Sequence, residues 1–201
     1  MTTFAEMEAL VVAQTRRPEI PAVTRAAIKS ATLRAHHVDF FPRDLASAPL
    51  TYAVGNGAGY YDIANLSTII SRLRAPTFIH CIEPATFRPI EKLDYRDADD
   101  VYDSAGNGRL SAYTLIGDTL RIYPQLATGR LELFYYKNPD TSTVLYESWI
   151  ATTYPEEVAM WAAGIVFART GFAEMAAEFK KDHVNPFREM LVSSHLLGNV
   201  A

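Results

Sequence analysis

The chain has 201 residues, enough for one sizeable core or for a core carrying an inserted lobe. Its 49% hydrophobic and 21% charged residues are those of a folded globular chain and exclude wholesale disorder. A net charge of −4 argues against a dedicated DNA-binding protein, and a lone cysteine, Cys81, excludes an internal disulfide or a cysteine-based zinc site.

The opening MTTFAEMEAL has no basic segment followed by an apolar run, so no signal peptide is expected. Phe4, Met7, Leu10 and Val11 recur at helical spacing, with Thr3 as N-cap and Glu6 at the capping-box position. Arg16-Arg17-Pro18 ends this helix. A second starts near Pro21, a residue tolerated in the first turn, and runs to about His37. Val23, Ala27, Ala31 and Val38 form its apolar face, while His36-His37 at its end place a cation at the negative end of the dipole.

Asp39 to Leu45, Leu50 to Val54, Tyr60 to Asn65, Ser67 to Arg74 and Pro76 to His80 read as short strands. The turn Gly55 to Gly59 interrupts them, and Pro84 and Pro89 break the chain. Leu93 to Tyr102 is a charged helix or loop, and Asp103 to Gly108 is a turn. Tyr113 to Tyr136 alternates with period 2 and predicts hairpins, with Leu115, Thr119, Arg121 and Tyr123 on one face. Thr114, Ile116, Leu120 and Ile122 take the other.

Thr153, Pro155 and Glu156 predict a helix start, and Gly171 its C-terminal stop. That helix carries Val158 to Ala168, the longest apolar stretch, which falls short of the ~20 residues that span a bilayer. A last helix, Phe172 to about Leu197, is expected to bury Phe172, Met175, Ala176, Phe179, Val184, Phe187 and Leu191. Asn185-Pro186 should kink or split it. The expectation is an α+β fold: a four-helix bundle made by N-terminal and C-terminal helix pairs (1–38 and 153–197), with a central antiparallel β lobe inserted at 39–152, forming one domain over 1–201.

Motifs for chemistry fail on inspection. The Gly55 to Gly59 run lacks the Lys-Ser/Thr of a phosphate loop. The Asp97, Asp99, Asp100, Asp103 cluster misses the EF-hand pattern, because Val101 and Tyr102 take positions 5 and 6. His80 and Cys81 are strand neighbours that point to opposite faces and cannot share a proton. No catalytic residue, metal site or cofactor is therefore expected. Charge is segregated: six basic residues against Glu19 and Asp39 between Arg16 and Arg43, and eight acids against four basic residues between Glu83 and Asp118. Such segments can meet between copies of a chain, or simply be two solvated faces. Tyrosines concentrate in the β region (Tyr52, Tyr60, Tyr61, Tyr113, Tyr123, Tyr135, Tyr136 and Tyr146), a side chain favoured at protein interfaces.

The string Tyr113-x-Leu115-x-Gly117-x-x-Leu120-x-Ile122-x-Pro124, followed by Leu131-x-Leu133-x-Tyr135-Tyr136-x-x-Pro139, resembles the β core of tailed-phage head-to-tail adaptors. These connector or head-completion proteins include the tail tubular protein A type. Pro155-Glu156 opening an Ala-rich helix, a further long helix after it, and the N-terminal helix pair with Ile28 fit the same family. Pro186 and the loop at Gly55 depart from it.

The resemblance implies a virion protein at the head–tail junction, assembled in the host cytoplasm. Its expected form is a homo-oligomeric ring, twelvefold in that family, beneath the portal protein. The next tail or nozzle protein binds below, and packaged DNA passes through non-specifically with no membrane partner. On this reading the C-terminal tail (Leu191, His195, Leu196, Leu197, Asn199, Val200) meets the portal. Arg25, Lys29 and Arg34 face Asp97, Asp99 and Asp100 between subunits, and Tyr52, Asn56, Tyr60 and Tyr61 meet the tail. The alternatives are a small hydrolase using His80, Cys81 or the Asp97 to Asp103 carboxylates, and a nucleic-acid-binding module built on Arg16, Arg17, Arg25 and Lys29.

Overall fold

Helix α1 (Phe4–Thr15) begins as its residues dictate. The Thr3 hydroxyl accepts from the Glu6 N–H (3.2 Å), and the Glu6 carboxylate accepts from the Thr3 N–H (2.7 Å), a closed capping box. The Thr3 backbone N–H, with its hydroxyl adding to it, holds the Glu6 carboxyl below the usual carboxylate range. A carboxyl that binds its proton less readily when folded stabilises fully above the ordinary range, and that stabilisation is lost as pH falls through the lowered pKa. Thr3→Ala should cost about 1 kcal/mol. It should also move the Glu6 titration only part of the way back up, because the backbone N–H remains. Carboxyl ¹³C shifts followed against pH measure this, and an unmoved midpoint would refute it.

The structure, a computed structural model, describes residues 2–53, 60–81, 88–92, 112–123 and 128–198. It divides into two compact units, Met1–Asp44 with Asn138–Ala201, and Leu45–Lys137. The fold is mixed helix and sheet, an α+β arrangement.

In the first unit α1 and α2 (Pro21–His36) are followed by a 3-10 turn, Pro42–Asp44. The chain returns as α4 (Trp149–Thr153), α5 (Pro155–Arg169), α6 (Ala173–Phe179), a π-helical turn (Lys180–Val184) and α7 (Asn185–Gly198). Their core joins Phe4, Met7 and Val11 of α1 to Ala27, Ile28 and Ala31 of α2. Ile150 of α4, Val158, Ala162 and Val166 of α5, Val184 of the π turn, and Phe187 and Leu191 of α7 complete it. Alanines at the α2–α5 contact let the two backbones approach closely.

Several sequence expectations are corrected here. Thr153 is not an N-cap: it ends α4, and its hydroxyl donates to the Trp149 carbonyl. Ser148 caps α4 instead, accepting from the Ala151 N–H at 3.0 Å. Residues 39–44 and 138–152, assigned by sequence to the lobe, belong to the helical unit, where Phe41, Ile150 and Ala151 are buried. Gly171, at φ +86, does stop α5: the Phe172 N–H donates to the Phe167 carbonyl (2.9 Å), and the two rings touch edge to face. Phe172, just before α6, and Met175 on it, both expected in the core, are each 40% exposed, and Ala176 and Phe179 are only half-buried, since α6 buries none of its side chains. At Asn185-Pro186, where a kink or split was expected, a π turn ends and α7 begins. The π turn widens the helix just before Pro186, and the Asn185 N–H donates to the Lys180 carbonyl.

The second unit is a sheet in the order β1-β7-β3-β4-β5-β6-β2 among the described residues. Its strands are β1 (Leu45–Ala53), β2 (Tyr61–Ile63), β3 (Leu73–Cys81), β4 (Arg88–Lys92), β5 (Ala112–Ile116), β6 (Thr119–Tyr123) and β7 (Thr128–Lys137). All pairings are antiparallel except β4 with β5. Pro49 lies on the edge strand β1, where a missing N–H is tolerated, whereas Pro89, expected to break the chain, sits inside β4 opposite His80.

Only the first predicted hairpin forms. Gly117, at φ +61, makes the β5–β6 turn, but β7 leaves β6 to pair with β1 and β3. The face assignment also changes. A two-residue turn pairs Leu115 with Leu120 and Tyr113 with Ile122, so odd positions before the turn share a face with even positions after it. Residues 67–69, read as strand, lie in a short helix, α3 (Leu66–Ile69). Asp118 from the hairpin turn overrides the β-branched propensity there: its carboxylate accepts from the Ser67 N–H and hydroxyl, and its carbonyl from the Leu66 N–H. Leu50, Ile63, Leu66, Ile79, Leu120, Leu131 and Leu133 form the core of this unit.

Candidate interaction surfaces

The most tightly made polar cluster in the helical unit is buried. His36, the last residue of α2, is only 2% exposed and is no solvated dipole cation, which corrects the sequence reading. Its Nδ1 donates to both Asp44 carboxylate oxygens (2.9 Å), and its Nε2 is hydrogen-bonded with Ser148 Oγ at 2.9 Å. Trp149 Nε1 also donates to Asp44 (2.9 Å), and its ring packs edge to face against His36 and Phe41. The order serine, histidine, aspartate is that of a hydrolytic triad. Here the serine hydroxyl also caps α4, and Ser148 and Asp44 are 5% and 3% exposed, so a substrate carbonyl has no approach. The cluster ties α2, the 3-10 turn and α4 together. The signal for it was available in the sequence: His36 follows the buried Ile28 and Thr32 at spacings of eight and four.

Beside the end of α2 lies an open groove of about 610 Å³. Trp161, Gly164, Ile165 and Ala168 of α5, with Ala176 and Ala177 of α6, make its apolar floor. Arg34, His37, Lys180 and Arg188 give it a basic rim. Of the subunit-interface candidates, Arg34 is therefore on the groove. Arg25 is exposed but pairs with Glu8 at 3.0 Å, and Lys29 is half-buried. Their expected acidic counterparts, Asp97, Asp99 and Asp100, lie outside the described residues.

The same unit carries a braced loop. Asp140 and Glu147 exchange both backbone hydrogen bonds (3.1 and 2.9 Å). Inside that bracket the Asp140 carboxylate accepts from the Ser142 N–H, and the Ser142 hydroxyl accepts from the Leu145 N–H. Tyr146 anchors the loop: its hydroxyl is 2.7 Å from that of Thr32, its ring meets Phe4 edge to face, and burial pushes its pKa up. The result is a fixed tip presenting Val144 and Leu145, 86% and 68% exposed.

In the sheet unit the tyrosines separate. Tyr113, Tyr123 and Tyr135 are buried and serve the core, which removes them from the interface set. Burial raises the Tyr113 pKa. Tyr60 is exposed and stacks under the Arg121 guanidinium at 4.0 Å. Arg121 is held in turn by two bonds to Asp62 (2.8 and 2.9 Å), which push its pKa further up. Tyr61 is half-buried on β2, Tyr52 lies on β1, and Asn56 lies outside the described residues.

Of the C-terminal candidates, Leu191 is fully buried in the helical core and is corrected from a partner contact to a core residue. His195, Leu196 and Leu197 lie on α7, while Asn199 and Val200 lie outside the described residues. Cys81 ends β3, and the Gly55 to Gly59 run and the Asp97 to Asp103 cluster fall outside the described residues. Among the described residues no group of three or more His, Cys, Asp or Glu could hold a metal ion, and no helix is long and apolar enough to cross a membrane.

A family model described as SU10 adaptor protein matches residues 2–189, which takes in both units and stops short of Leu191. No curated protein matches the chain.

Proposed function

The chain belongs to the SU10 adaptor protein family, the phage head-to-tail adaptors, and from that premise we propose that it forms a homo-oligomeric ring of twelve copies beneath the portal. The ring links capsid to tail around the DNA channel. The match across residues 2–189 carries this reading. On it the chain works as one adaptor domain, with a four-helix bundle made by the terminal helix pairs and a sheet lobe inserted in sequence between them. The family is structural, and the chain has no catalytic role on this reading. The buried His36, Asp44 and Ser148 then serve as a keystone and not a site.

His195, Leu196, Leu197, Asn199 and Val200, at and beyond the end of α7, are the portal-facing segment. Tyr60 and Tyr61, with Tyr52 and Asn56, face the next tail component. The exposed Tyr60 over Arg121 supports this, since aromatic and arginine side chains together favour protein contacts. Arg25, Lys29 and Arg34 face the Asp97, Asp99 and Asp100 segment of a neighbour. The overall acidic balance suits a channel through which DNA passes without sticking.

The test is native mass spectrometry and electron microscopy of the full chain, alone and mixed with the portal protein of its phage. A twelve-copy ring seated on the portal is expected. A chain that stays monomeric both alone and with the portal would overturn the proposal.

A further inference from the structure

Val144 and Leu145 need an explanation. A loop tip braced by four internal hydrogen bonds and anchored through Tyr146 normally carries polar side chains, yet this one holds two large aliphatic residues in water. The groove floored by Trp161, Ile165 and Ala177 has the opposite character: apolar, open, and unfilled by its own chain's loop, whose tip is solvent-exposed.

The two surfaces match in charge as well as in polarity. Asp140 and Glu147 stand at the foot of the loop, and Arg34, Lys180 and Arg188 stand at the rim of the groove. An aliphatic anchor seated in an apolar pocket, with opposite charges meeting at the edge, is the pattern of a specific protein contact. We infer that the Val144-Leu145 tip of one copy docks in the Trp161–Ile165–Ala177 groove of the next. The contact is heterologous, because loop and groove are different surfaces. It therefore repeats from copy to copy and closes into a ring when the rotation allows. This rests on the ring reading above and adds to it the surfaces that join the copies, which are distinct from the Asp97 to Asp100 segment.

Two variants test it, in the full chain free at high concentration and bound to its portal. In V144D/L145D the changed side chains are solvent-exposed, so the fold is retained, as a tryptophan-fluorescence melt checks. This variant should self-associate at least about tenfold more weakly than the wild type, since each large aliphatic burial is worth a factor of ten or more. In L145C/A177C on a C81S background, which removes the native thiol, mild oxidation should link copies into a ladder of dimers, trimers and higher species, while L145C/C81S or A177C/C81S stops at dimers. Equal assembly by V144D/L145D, or no ladder from L145C/A177C in wild-type-like rings, sinks the loop–groove contact and leaves the ring standing. If the wild type forms no ring, the ring reading falls. The contact then falls with it unless the free chain still gives the ladder. A tip captured by the portal instead of a second copy would show as a missing ladder.

Discussion

His36→Ala is expected to lower the stability of the helical unit by about 3–5 kcal/mol, because it strips a buried carboxylate of its imidazole partner. Asp44 is 3% exposed and loses both His36 contacts at 2.9 Å, keeping the Trp149 Nε1–H at 2.9 Å. The change also takes a partner from Ser148, which caps α4. A loss of that size is a large fraction of the ~5–15 kcal/mol that holds a typical domain together. Both tryptophans, Trp149 and Trp161, lie in the helical unit, so fluorescence during urea unfolding follows that unit and not the sheet. The double variant H36A/D44A should cost less than the sum of the single changes, since the second removal takes away the buried carboxylate whose His36 contacts the first already removed. Additive single costs, or a cost for H36A below ~1 kcal/mol, would show that the cluster is not the keystone described.

Leu191→Ala carries the second large effect, about 2–5 kcal/mol, from the lost transfer energy and the cavity left beside Phe187 and Val184. Val192→Ala, one residue on and 36% exposed, should stay within about 0.5 kcal/mol. The pair separates two accounts of the C-terminal segment. If Leu191 met a partner, its loss would weaken assembly and leave the melt unchanged. If it is core, the melt falls in the isolated chain. An unchanged melt for L191A with weakened portal binding would restore the contact reading and defeat the structural one.

Local chemistry was legible in the sequence wherever its cause was local. The Thr3 and Glu6 capping box, Pro21 in the first turn of α2, Pro155 opening α5 and Gly171 closing it all depend on residues a few positions apart. What sequence misplaced depended on distant partners. Asp118 turned Leu66–Ile69 into a helix, and β1 and β3 drew β7 away from the hairpin that its spacing suggested. Parity across the Gly117-Asp118 turn reversed half of a face assignment. The buried histidine was hidden by its polarity, although its position on the helix stripe was regular. The acceptors that let it be buried, Asp44 and Ser148, come from a 3-10 turn and from a segment beyond the sheet. Nor could the aliphatic tip be read as a feature before the Asp140 to Glu147 bracket showed it to be held in water.

The division of the helical unit across the chain has a consequence for its birth on the ribosome. Met7, Val11 and Ile28 emerge first, but Val158, Ala162 and Leu191, against which they pack, are translated only after the whole sheet. The sheet has no such delay. Leu45 and Tyr136 are register partners near its two ends, so it can close once Lys137 has left the exit tunnel. During that interval α1 and α2 expose an apolar stripe with nothing to cover it. The first-made helices are the last to complete their core.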